Sequence, residues 1–124
     1  MGSTVLSISA LRTSPGGADV HDVTVAVAPT DTVLSDVISC LHTEALGVVL
    51  TNTDGSQELN AWIEVAPTIN GPWDRSPWTG LEQIAAGETR YETASVKGRR
   101  FARLVGTASG AGLNVRTWID RVNG

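Results

Sequence analysis

Cys40 and His42 come nearest to a catalytic pair in this chain: a thiol and an imidazole two residues apart. On a strand they would share a face, and there they could act as nucleophile and base. That chemistry also needs an acid to orient the imidazole and donors for the developing oxyanion, and neither can be placed beside them. His21, His42 and Cys40 are the only imidazole and thiol groups, too few and too poorly spaced for a structural zinc. "GTASGAG" (106–112) looks like a phosphate loop but lacks the Gly-Lys-Ser/Thr ending, and it joins two strand patterns instead of opening a helix. "DGSQE" (54–58) resembles a piece of a calcium loop without the alternating carboxylates. Thirteen acidic residues leave a carboxylate pair open, but nothing favours any two of them. The expectation is no catalytic residue, no metal and no cofactor: not an enzyme.

The remaining unusual residues are aromatic and basic. "NGPWDRSPW" (70–78) holds two of the four tryptophans, each behind a proline that stiffens its approach. Trp73 and Trp78 could cap the protein's own core, anchor a docked protein with Arg75 pairing an acid across the boundary, or stack on sugar rings. Trp62 and Trp118 project opposite the aliphatic residues of their strand patterns, which is odd for a solvated face and points to a partner covering them. "KGRRFAR" (97–103) places four cations in seven residues. Arg99 and Arg103 would share a face with Phe101, with Arg116 beside them on the last strand. Those arginines suit a solvated, protected edge or a salt-bridged subunit boundary.

Period-2 alternation must position all of these side chains. Val23, Val25 and Val27 alternate with Thr24, Ala26 and Ala28; Leu59, Ala61, Ile63 and Val65 alternate with Asn60, Trp62 and Glu64. Phe101, Arg103 and Val105 oppose Ala102 and Leu104, and Leu113, Val115, Thr117 and Ile119 oppose Asn114, Arg116, Trp118 and Asp120. Weaker strands are expected at 4–11, 32–41, 45–52, 81–85 and 89–96, with one helical turn near 35–42 as an alternative. The Asp-Gly of "NTDGSQ" (52–57) predicts a hairpin, and "AAGET" (85–89) and "SGAG" (109–112) are read the same way. The pattern is all-β: a single antiparallel β-sandwich over residues 1–124, about eight strands, jelly-roll-like.

The 124-residue length fits one domain. Residues 1–62 carry one basic residue against seven acidic, and residues 63–124 carry eight against six, within a net charge of −4. That asymmetry suits complementary subunit surfaces and argues against nucleic acid as a partner. The longest apolar run is too short to cross a membrane. No basic-then-apolar leader is visible, so retention in the cytoplasm where the chain is made is expected.

"NAWIEVAPTINGPW", then "AAGET", then "RFARLVGTASGAGLNVRTWI" resembles the small β-sandwich proteins encoded among the virion genes of tailed bacteriophages. The likeness covers roughly residues 45–122 and runs through a Gly-x-Trp turn and an aromatic-x-Arg strand. It implies a particle component in many symmetric copies, either a head decoration protein or a neck or tail piece. There are no catalytic residues to carry over. The long inserted hairpin of a tail-tube protein has no counterpart here, which favours the capsid exterior. Implied partners are the major capsid protein, other virion proteins and further copies of the chain, at the virion surface. The interface candidates are Trp62, Trp73, Arg75, Trp78, Arg99, Arg103, Arg116 and Trp118. The alternative is a carbohydrate-binding module with Trp73 and Trp78 as its platform.

Overall fold

A computed structural model describes residues 11–13 and 19–122, with side chains from residue 23 onward. The strands are β1 (Leu11–Thr13), β2 (Asp19–Val27), β3 (Thr32–Val33), β4 (Ile38–Ser39), β5 (Ala45–Asn52), β6 (Leu59–Ala66), β7 (Asp74–Arg75), β8 (Thr89–Ser95), β9 (Phe101–Ala108) and β10 (Leu113–Val122). One sheet runs β1-β2-β10-β5-β8. In the other, β3 and β4 share one edge of β9, followed by β6 and β7. All pairings are antiparallel. The nested pairs β2·β10, β3/β4·β9, β5·β8 and β6·β7 describe a long hairpin rolled into two facing sheets, the jelly-roll arrangement.

Alternation decides which residues face inward. Leu46, Val48 and Leu50 of β5 and Leu113, Val115 and Ile119 of β10 meet Leu59, Ile63 and Leu104 from the other sheet in one buried core. At roughly 1.5–3 kcal/mol per buried aliphatic side chain, this layer is the main stabilising contribution. Two polar groups enter it with partners. Thr117 donates its hydroxyl to the Val23 carbonyl at 3.0 Å. Asn52 donates to the carbonyls of Gln57 (2.8 Å) and Ile84 (3.2 Å) and accepts from the Asp54 amide at 3.0 Å.

Several expectations are corrected. Residues 32–41 form two short strands, not one, and no helical turn. Between them the Ser35 hydroxyl accepts the Leu104 amide at 2.9 Å, standing in for a backbone carbonyl. Residues 81–85 form no strand; they meet β6 through the Leu59–Ile84 bridge and a 2.9 Å bond from the Ala61 amide to the Leu81 carbonyl. The expected strand over 4–11 lies outside the described residues apart from Leu11. The turns at 52–57 and 109–112 are not hairpins, because β5 and β6, and likewise β9 and β10, lie in opposite sheets. The Asp54 turn that carries the chain from one sheet to the other is closed by its carboxylate, which accepts from the amides of Ser56 (2.9 Å) and Gln57 (2.8 Å). Gly55 is not in the left-handed region a tight Asp-Gly hairpin turn demands.

Candidate functional site

The Cys40–His42 pair does not assemble. Cys40 is 2% exposed, and its thiol points to the Ile38 carbonyl at 3.6 Å. Burial pushes the thiol up to about 11, against a smaller opposing effect of the Arg121 charge. The nucleophilic thiolate is therefore scarce at neutral pH. His42 sits in an exposed turn with φ of 64°, off the strand that would have aligned it with Cys40. The His21 side chain lies outside the described residues. Among the described residues no group of three His, Cys, Asp or Glu side chains could hold a metal ion.

Residues 67–80 form a strap along the β6 edge of the β3/β4-β9-β6-β7 sheet, with Trp73 and Arg75 reaching over its outer face. Its middle pairs with β6, placing Arg75 opposite Glu64 and Asp74 opposite Val65. Arg103 of β9 stands on the other side of Glu64, so Arg103, Glu64 and Arg75 make one cross-strand row. One Glu64 oxygen accepts two bonds from Arg103, at 2.8 and 3.0 Å, and the other accepts the Trp62 indole N–H at 3.2 Å. The Arg75 guanidinium lies 4.4 Å from the centre of the Trp62 ring, and that of Arg103 lies 4.3 Å from Trp73. Arg75 also reaches Glu82 at 3.5 Å.

Trp62 does project outward, as its alternation implies, but it is only 8% exposed within its own chain. The strap supplies the covering that the sequence pattern assigned to a partner. Trp78 packs against the core. It lies so close over Gly80 that a side-chain carbon there would sit 2.6 Å from its ring. Of the three uses open to the loop, its aromatics serve the protein's own packing in this structure.

Arg116 does not neighbour Arg99 and Arg103. β9 and β10 belong to different sheets, so Arg103 and Arg116 face out on opposite sides of the molecule. Arg99 precedes β9 at one end of the sandwich. Ser39, Phe101 and Ala66 form a cross-strand row there, so residues 40–44, 97–100 and 67–70 all leave the sheets at that end. Residues 40–44 and 97–100 line a shallow depression. Leu41 and Ile69, 65% and 58% exposed, share that end with exposed Lys97, Arg99 and Arg100. The Lys97–Glu44 pair at 3.7 Å is solvated and contributes little.

The outer face of the β2-β10-β5-β8 sheet is different. Trp118, Val49 and Tyr91 form a row across β10, β5 and β8. The rows beside it are Arg116–Thr51–Thr89 and Asp120–Gly47–Thr93. Two shallow depressions, one on each side, share Trp118, Val49 and Tyr91 as lining. Tyr91 is 72% exposed, and the Thr51 and Thr89 hydroxyls are bonded to each other at 2.9 Å. The Asp120 carboxylate leans over Gly47, where a side-chain carbon would lie 2.5 Å from its oxygen. Burial raises that carboxyl above the ordinary aspartate range. Sequence reasoning missed Tyr91, Leu41 and Ile69. The signal for Tyr91 was available, since Ala94 and Val96 mark the inward parity of its strand and put Tyr91 outside.

No protein-family model and no curated protein matches the sequence. Solved structures do match. One belongs to "Bacillus endospore appendages", described as a novel family of disulfide-linked pili, with a TM-score of 0.55 at 14% identity over 86% of each chain. PirA matches with a TM-score of 0.53 at 18% identity, over 83% of this chain and 93% of that one. The SPBc2 prophage-derived protein YomS matches with a TM-score of 0.51 at 12% identity, over 83% and 94%. The likeness is one of fold. At these identities it carries no activity, ligand or partner from those proteins to this chain.

Proposed function

We propose that the protein is a non-enzymatic structural component of a tailed-phage virion, most specifically a head decoration protein that docks on capsid subunits. The observation that carries this reading is the end of the sandwich where exposed Leu41 and Ile69 stand with Lys97, Arg99 and Arg100. An apolar patch with arginine beside it matches the apolar core and the arginine enrichment of protein interfaces. In a chain of net charge −4, a local cluster of cations also fixes which end meets an acidic partner. The burial of Cys40 supports a non-catalytic role. The virion-gene resemblance of residues 45–122 supports the setting, and a fold shared with a prophage-derived protein agrees with it.

In this reading the strap over residues 67–80 has a docking role through its tip, Ile69, while Trp62, Trp73, Arg75 and Arg103 hold its base rigid. The protein is made in the host cytoplasm and resides on the particle. The test is co-sedimentation with empty capsids. Arg99→Glu with Arg100→Glu, and separately Leu41→Ala with Ile69→Ala, should leave the fold intact and weaken binding by roughly tenfold or more. Unchanged binding by both folded variants would overturn the docking end.

A further inference from the structure

The face bearing Trp118 and Tyr91 plays no part in that docking end. The strip from β10 to β8 is about 10 Å across at roughly 4.8 Å per strand. From Gly47 to Thr51 it runs about 14 Å at roughly 3.4 Å per residue. It is wide enough for a slim polymer lying along β5.

The chemistry of the lining narrows the choice. Trp118 on one wall and Tyr91 on the other offer aromatic surface, over a floor of Gly47, Val49 and Thr51. Gly47 keeps the floor low at the point where Asp120 leans across it. Hydroxyls of Thr51, Thr89 and Thr93 border the strip. One acid, Asp120, and one base, Arg116, flank Trp118 on the same strand, so the β10 wall carries no excess of either charge. A pyranose ring matches this arrangement: its C–H faces pack on aromatic rings, and its rim of hydroxyls pairs with hydroxyl, carboxylate and guanidinium groups. A nucleic acid would instead need a basic track.

We propose that the trough between Trp118 and Tyr91 binds a neutral polysaccharide chain, running along β5 over Gly47, Val49 and Thr51. The site is on the opposite side of the molecule from the Trp73–Trp78 strap, and its use does not depend on the docking end. The experiment is affinity gel electrophoresis of the full chain in hydroxyethylcellulose, laminarin, galactomannan and dextran, with capsid co-sedimentation run alongside. Retardation by at least one polysaccharide is expected. It should weaken by roughly tenfold in Trp118→Ala and in Tyr91→Ala, with capsid binding unchanged. Tyr91 is exposed enough that its variant remains folded even if Trp118→Ala does not. Absence of retardation in all four polysaccharides would overturn the proposal. So would retardation that survives Tyr91→Ala, or loss of capsid binding in that variant, which would make this face a protein interface.

Discussion

Replacing Glu64 by Ala would remove the centre of the network that holds the 67–80 strap on its sheet. The variant deletes two charge-assisted bonds from Arg103 and one from the Trp62 indole. It also leaves Arg103, only 24% exposed, beneath Trp73 without that carboxylate. Breaking a fully buried pair costs about 3–5 kcal/mol. Solvent still reaches both partners here, so discounting for screening gives about 2 kcal/mol. For a domain of this size, that lowers Tm by about 8 °C. Thermal unfolding followed by tryptophan fluorescence measures the loss and reports on Trp62 and Trp73 together. Glu64→Gln keeps the shape and an acceptor for the indole, so it should lose about half as much. A double-mutant cycle with Arg103→Ala should return a coupling near 1 kcal/mol. A loss below about 0.5 kcal/mol for Glu64→Ala, or no coupling to Arg103, would refute the idea that these side chains clamp the strap.

Other expectations concern single groups. Gly80→Ala forces a carbon against the Trp78 ring and should cost about 1–3 kcal/mol by overpacking, with a shift in tryptophan emission. Asn52→Ala leaves the Gln57 and Ile84 carbonyls and the Asp54 amide without their side-chain partner, so urea unfolding should show a loss of about 3 kcal/mol. Cys40, with its thiol pushed up to about 11 by burial, should resist a thiol reagent at pH 8 in the folded protein and react at once in denaturant. Backbone amides hold the Asp54 carboxyl below its usual value of 3.8. A folded-state value below the unfolded one gives stability that is present above about pH 4 and lost as pH falls through the lowered value. Asp54→Asn should accordingly flatten the acid limb of the stability–pH curve.

The alternation along β2, β6 and β10 was legible because inward and outward residues differ in polarity, whereas β9 carries apolar Phe101 and Val105 on its outward face and blurs the signal. Leu59, Ala61, Ile63 and Val65 face in, and Trp62 and Glu64 face out, as their spacing implies. Sheet membership was not legible. Turn residues report that the chain reverses, whereas the partner of each strand is chosen by long-range packing, which in a jelly roll sends neighbours in sequence to opposite sheets. That misplacement of β9 beside β10 put Arg116 next to Arg103. The covering of Trp62 was hidden for a related reason: only the pairing of Asp74–Arg75 with β6 brings Arg75 over the ring. The trough needs three strands from distant parts of the chain, so Tyr91 and Trp118 show no local signature of their proximity.

Density-gradient banding of intact phage particles from a host carrying this gene, with quantitative mass spectrometry of the band, addresses membership of the virion most directly. The chain should band with the major capsid protein in a fixed ratio that nuclease treatment leaves unchanged, with many copies per particle. Its recovery only from the soluble fraction, or in traces that do not scale with capsid protein, would contradict the virion assignment.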